Sequence, residues 1–184
     1  TAGSSASPLA PLSAMTNRVV LNGGTLQATT TPDFVIDPRR GIGLGPTEGS
    51  TGGTGTLAVD AGVKVTYGGV IASAGNTGDQ VLIKTGDGTL VLNGANTFTG
   101  TTRVADGLIA GNGTLASSLV VEPGAVLDPG ITAVGNFTLN GGVQLAGTLG
   151  IDITGSNAAD IDLLTIAGLL DLSSGTATLE LDAT

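Results

Sequence analysis

The 184 residues hold 32 glycines, one Tyr and three Phe, with no Cys, His or Trp. That composition excludes a disulfide framework, thiolate metal sites and a core built on aromatic rings. Six bases against fifteen acids leave a net charge of −9, and all six bases (Arg18, Arg39, Arg40, Lys64, Lys84, Arg103) precede Val104. No basic patch is on offer to nucleic acid or to an anionic membrane surface.

Val, Leu and Ile must supply the burial, which suits a narrow, evenly layered core. Glycine at roughly twice average usage, without a period of three, points to many short strands joined by tight turns. No apolar run approaches the ~20 residues of a membrane-spanning helix. The chain opens at Thr1 without a charged and apolar leader, so any signal peptide is expected to have been removed or to lie outside this sequence.

In chain order, residues 1–16 are Ser-, Ala- and Pro-rich and read as an extended arm or linker with a few apolar side chains (Leu9, Leu12, Met15). From residue 17 the texture changes and holds to 184. Val63, Val65 and Tyr67 alternate with Lys64 and Thr66, as expected of a half-buried strand. Phe137 and Leu139 alternate with Thr138 and Asn140, and Leu149, Ile151 and Ile153 flank Asp152 in the same way. Ala158–Ile166 reads as a turn followed by a strand. Ala177, Leu179 and Leu181 oppose Thr178, Glu180 and Asp182. The inward positions predicted from this alternation are Leu57/Val59, Leu90/Leu92, Leu139 and Leu179/Leu181. No segment shows a 3.6-residue period with caps.

Internal repetition is the strongest signal. Gly-x-Gly-Thr-Leu occurs at Gly53–Leu57, Gly86–Leu90 and Gly111–Leu115, and Leu-Asn-Gly-Gly at Leu21–Gly24 and Leu139–Gly142. Asn-Gly pairs at Asn22, Asn93, Asn112 and Asn140 suit tight turns, of hairpins or of solenoid corners alike. Recurrence at roughly 20–35 residues favours stacked units, each leaving a face for the next.

Within this pattern, Val81–Gly113 resembles the autotransporter-associated β-strand repeat, also called the passenger-associated transport repeat. The resemblance rests on Lys84-Thr85-Gly86, Gly88-Thr89-Leu90 and Gly94-Ala95-Asn96-Thr97-Phe98-Thr99-Gly100. The family usually has Tyr at the position of Phe98 and often a second Gly after Gly100. The flanks, Arg40–Gly45, Gly55–Leu57, Tyr67–Ile71, Asn136–Leu145 and Ile161–Ile166, resemble the coils around such a repeat. The resemblance implies an all-β, right-handed parallel β-solenoid of about seven or eight coils, displayed at a bacterial cell surface or secreted. It makes Gly86, Gly88, Gly94, Asn96 and Gly100 the turn residues of the repeat.

Catalytic chemistry finds little support. Asp160 and Asp162, at i and i+2, would share one strand face, but polysaccharide cleavage on a solenoid calls for clustered carboxylates with Arg or His beside them. Calcium is the alternative weighed for Asp152, Asp160 and Asp162. The calcium-binding solenoid motif fails at Gly52-Gly53-Thr54-Gly55-Thr56-Leu57, where Leu57 replaces the ligand. Gly41–Gly45 lacks the third glycine and the helix of a phosphate loop. The reading is therefore a non-enzymatic structural element with no catalytic residue and no cofactor. An adhesin or display stalk binding glycans, and a polysaccharide-acting enzyme, are the alternatives. The expected partner is a second copy of the chain, or the rest of a longer passenger, met through the solenoid ends. Leu9, Leu12, Met15, Leu179 and Leu181 are the expected contacts.

Overall fold

The computed structural model describes residues 18–29, 33–131 and 134–183. Leu9, Leu12 and Met15 of the N-terminal arm lie outside the described residues. The remainder is 21 short strands, every ladder parallel, in a repeating three-strand coil.

The strands form three faces. The first holds β1 (Val19–Leu21), β4 (Ile42–Leu44), β7 (Ile71–Ser73), β10 (Ala95–Asn96), β13 (Thr114–Leu115), β16 (Asn136–Leu139) and β19 (Leu163–Ile166). The second holds β2 (Thr25–Ala28), β5 (Thr54–Val59), β8 (Gln80–Thr85), β11 (Gly100–Val104), β14 (Ser118–Val121), β17 (Val143–Leu145) and β20 (Leu170–Asp171). The third holds β3 (Asp33–Ile36), β6 (Lys64–Tyr67), β9 (Thr89–Leu92), β12 (Leu108–Ala110), β15 (Val126–Asp128), β18 (Thr148–Ile153) and β21 (Thr178–Ala183). Faces two and three are unbroken 7-stranded sheets. The fold is a parallel β-solenoid of seven coils.

Coil length varies more than the sequence suggests. The register advances by 17 residues from Thr101 to Ser118 but by 31 from Thr25 to Thr56. The faces keep their register because the extra residues are spent in corner loops, such as the one between β4 and β5. At ~4.8 Å per coil, the described coils make a rod of roughly 35 Å.

Inside, side chains of one face stack directly on those of the next coil. Leu57, Val59, Leu90, Leu92 and Leu139 are buried as the alternation predicts, and so are Val63, Val65 and Tyr67. The Tyr67 hydroxyl is satisfied by donating to the carbonyls of Arg40 (2.8 Å) and Val70 (3.1 Å). Burial pushes its pKa up to about 12. Ala158–Ile166 is, as expected, a turn (a single 3-10 turn, Ala158–Asp160) followed by a strand.

Leu179 and Leu181 require a correction. They continue inward columns, since Leu149 pairs with Leu179 and Ile151 with Leu181. Yet they are 61% and 60% exposed, and all of β21 is exposed. Strand parity fixes direction, whereas burial also needs a coil on both sides. The last described coil has one on one side only.

Candidate functional site

Three places gather the chemistry: the repeat corner, an acidic corner, and the two ends of the rod. The repeat corner follows from close stacking of backbone on backbone. Gly86 takes φ +76°, a conformation that side-chain-bearing residues rarely adopt. At Gly94 a Cβ would collide with the Gly69 carbonyl of the coil below. Gly88 precedes β9, and Gly100 opens β11. Asn96 is not in a loop. It lies in β10, fully buried.

Asn96 repairs a break in the first face, where the ladder stops between β7 and β10. Its Oδ1 accepts the Ile71 N–H at 3.0 Å. Its amide donates to the carbonyls of Gly94 and Thr114, both at 3.2 Å. One side chain therefore ties three successive coils together. A neighbouring corner uses asparagines in relay: Asn93 Oδ1 accepts the Asn112 N–H at 3.0 Å, and Asn112 Oδ1 accepts that of Asn136 at 2.7 Å.

Lys84 is the residue that sequence reasoning missed. It pairs with Leu57 below and Val104 above, so it occupies an inward apolar column and is fully buried. Its ammonium runs to the corner and donates to the carbonyls of Thr85 (3.0 Å), Gly86 (2.5 Å) and Asp106 (3.0 Å). Burial lowers its pKa to about 8, against the opposing pull of the Asp106 and Asp87 carboxylates. Parity alone marks the position as inward; the charge of lysine hides it.

The acidic corner differs from the expected trio. Asp160 is held away, its Oδ2 accepting the backbone N–H (2.9 Å) and side-chain amide (3.0 Å) of Asn157. Asp128 takes its place: Asp128, Asp152 and Asp162 bring carboxylate oxygens within 4.8 Å of one another. Asp160 and Asp162 do not share a strand face, because Asp160 closes the 3-10 turn and Asp162 precedes β19. Asp162 is buried and accepts the N–H of Gly135 at 2.6 Å and of Asp152 at 2.9 Å. It joins a corner loop to β18. Burial raises the pKa of Asp128, with backbone bonds from Gly130 and Ile131 opposing and the charges of Asp152 and Asp162 assisting. Burial, then Asp162 and Asp182, raise that of Asp152. Oxygen donors of this kind suit a hard cation in type, but two of Asp162's lone-pair positions already serve backbone donors.

The rod ends are defined by two columns. On the third face, Phe34, Val65, Leu90, Ile109, Leu127, Leu149 and Leu179 pair in unbroken succession. The interior members are buried or nearly so, while Phe34 is 47% exposed and Leu179 61%. On the second face, Leu26, Leu57, Lys84, Val104, Val121 and Leu145 do the same. Leu172 extends that line two residues beyond Leu170, the partner of Val143. Among the described residues, large exposed apolar side chains occur only in the first coil (Val20, Leu26, Phe34, Val35) and in or beside the last (Ile161 through Leu181).

Glycine-tight corners and asparagine-bridged coils make this a three-faced parallel solenoid, the architecture of stacked-repeat proteins. Its central coils carry a specific signature: residues 82–110 match the family model of the passenger-associated-transport-repeat. The match takes in Lys84, Gly86, Gly88, Gly94, Asn96 and Gly100. Over that stretch the solenoid is similar to the passenger-associated-transport-repeat. No curated protein and no solved structure matches the chain.

Proposed function

We propose that this chain is a non-catalytic structural element of an extracellular bacterial fibre or autotransporter passenger, a rigid solenoid that self-associates end to end. The passenger-associated repeat at residues 82–110 supports a place outside the cell. The observation that carries the reading is the unbroken stacking of parallel coils, faces two and three each running through seven hydrogen-bonded strands among the described residues. The outer edges of the first and last described strands carry backbone donors and acceptors that template further pairing, with a second copy or with more of the same passenger.

The flanks of the rod have a different character. On the second face the outward residues Thr101 and Ser118 bond to each other (3.3 Å), and Arg103 pairs with Glu122 at 2.7 Å. These contacts tie neighbouring coils together along the rod. Sedimentation velocity of the purified chain across a concentration series tests the reading. Growth into higher-order species with concentration is expected; a monomer at every concentration overturns self-association.

A further inference from the structure

We propose that Asn140–Gly141 is a site of spontaneous covalent modification, the one Asn-Gly pair of the four that the fold leaves free to deamidate. The reaction needs only water. The Gly141 amide nitrogen gives up its proton to solvent base and attacks Cγ of Asn140. The new N–Cγ bond displaces the side-chain nitrogen, which leaves as ammonia, and water then opens the resulting succinimide. Cleavage between its nitrogen and the side-chain carbonyl gives aspartate at position 140. Cleavage between its nitrogen and the main-chain carbonyl gives isoaspartate, with the backbone rerouted through the former side chain.

The four pairs differ in what holds the two reacting groups. At Asn22–Gly23 the glycine N–H is committed, donating to the Thr54 carbonyl at 2.6 Å. At Asn93–Gly94 the side chain is committed, its Oδ1 accepting the Asn112 N–H at 3.0 Å. Asn112–Gly113 is held on both sides. Asn112 Oδ1 accepts the Asn136 N–H at 2.7 Å, and the Gly113 N–H donates to the Leu92 carbonyl at 3.2 Å. At the corner between β16 and β17, by contrast, the Asn140 side chain is exposed and hydrogen-bonds to no described residue, and neither does the Gly141 N–H. Each hydrogen bond that must break before the attack slows it about fivefold.

The corner has no room for the rerouted product. A Cβ on Gly141 would stand 2.5 Å from the Ser117 carbonyl of the coil below, and one on Gly168 of the coil above would stand 2.5 Å from the Gly142 nitrogen. Main-chain bonds anchor the segment on either side. The Asn140 N–H donates to the Leu115 carbonyl at 2.9 Å, and the Leu119 N–H donates to the Gly142 carbonyl at 2.9 Å. Isoaspartate adds one methylene to the main chain between those anchors, so one of them must yield. The modification therefore loosens the joint between the first and second faces in a single coil of the rod.

To test this, the purified full-length chain is aged in mildly alkaline buffer, folded and in urea, and all four pairs are followed by peptide mapping with isoaspartyl methyltransferase labelling. In the folded chain Asn140 should convert first, with Asn22 and Asn93 about fivefold slower and Asn112 about twenty-five-fold slower. In urea the four rates should converge. Equal rates in the folded chain, or conversion led by another pair, overturn the assignment. So does an Asn140 that converts in urea and stays intact when folded. Hydrogen exchange on the aged chain then reads the loosening. The Leu119 amide should lose protection in step with isoaspartate content, while that of Ala105, bonded to the Lys84 carbonyl, keeps it. Asn140→Gln, whose longer side chain cyclises far more slowly, should age without that loss. Isoaspartate at position 140 with the Leu119 amide still protected overturns the loosening, as does equal loss of protection in Asn140→Gln.

Discussion

The ammonium of Lys84 donates at 3.0 Å to the carbonyl of Asp106, one coil further along the rod. A cation thereby sits in a column otherwise made of leucine and valine, with its charge delivered to the corner. The consequence is a stability that depends on alkaline pH. Lys84 has a pKa of about 8 in the fold against an ordinary 10.5. Below pH 8 both folded and unfolded chains hold the proton, and the folded state bears the full cost of burying it. Between about 8 and 10.5 the unfolded chain binds more protons than the folded one, so stability rises with pH.

From pH 7 to 9.5 the wild-type chain should gain stability relative to Lys84→Met by up to roughly 2 kcal/mol. Urea denaturation at pH 7, 8.5 and 9.5 measures it. These values stay below the titration of Tyr67, whose raised pKa acts in the opposite direction above pH 10. Parallel profiles for the two proteins would mean that the ammonium is not desolvated.

Asn96→Ala should cost about 1–3 kcal/mol, because it strips the acceptor from the buried Ile71 N–H. It also removes the donor to Gly94 and Thr114. Asn96→Asp should do no better, since a carboxylate cannot donate to those two carbonyls. Hydrogen exchange gives a local readout. The Ile71 amide is expected to lose protection in both variants ahead of amides in β14.

Leu90→Asp should be among the most damaging single changes. Leu90 is fully buried between Val65 and Ile109, and an unpaired carboxylate there costs more than about 3 kcal/mol. Asp87→Ala, at an exposed corner, should cost about 1 kcal/mol or less. Equal denaturation midpoints for the two would contradict the assignment of the inward face.

Most of the fold was legible because a solenoid repeats one local rule. Alternation alone placed Val63, Val65, Tyr67, Leu90, Leu92 and Leu139 inside. What escaped it has identifiable causes. Lys84 obeys the same parity, but a lysine is not read as a core residue until its ammonium has a named destination. Asn96 looks like a turn residue because it lies between Gly94 and Gly100. Its role depends on a ladder gap one coil away. The acidic corner was half legible: Asp152 and Asp162 meet, while Asp128, two dozen residues earlier, is brought in by coil stacking that no local spacing reports. Leu179 and Leu181 had the right direction and the wrong burial, because exposure at a rod end is decided by what stacks there.

The same acidic corner yields a prediction of opposite sign to that for Lys84. The pKa of Asp152 is raised in the fold by burial and by Asp162 and Asp182. A carboxyl raised in this way binds its proton more tightly folded than unfolded. Its contribution favours the fold below the ordinary carboxylate pKa and is lost as pH climbs through the folded value. Asp152→Asn should therefore gain on the wild type as pH rises from 3 to 7. Thermal melts of both proteins at the two pH values compare them directly, and a variant that loses ground towards pH 7 would show that the carboxylate is paired rather than crowded.

Negative-stain electron microscopy of the unmodified, purified full-length chain, viewed over a range of concentrations, tests the central claim most directly. The account predicts thin unbranched filaments that lengthen with concentration, with single rods roughly 35 Å long at the dilute limit. Single rods of that length at every concentration, or pairs that never grow beyond two, would contradict it.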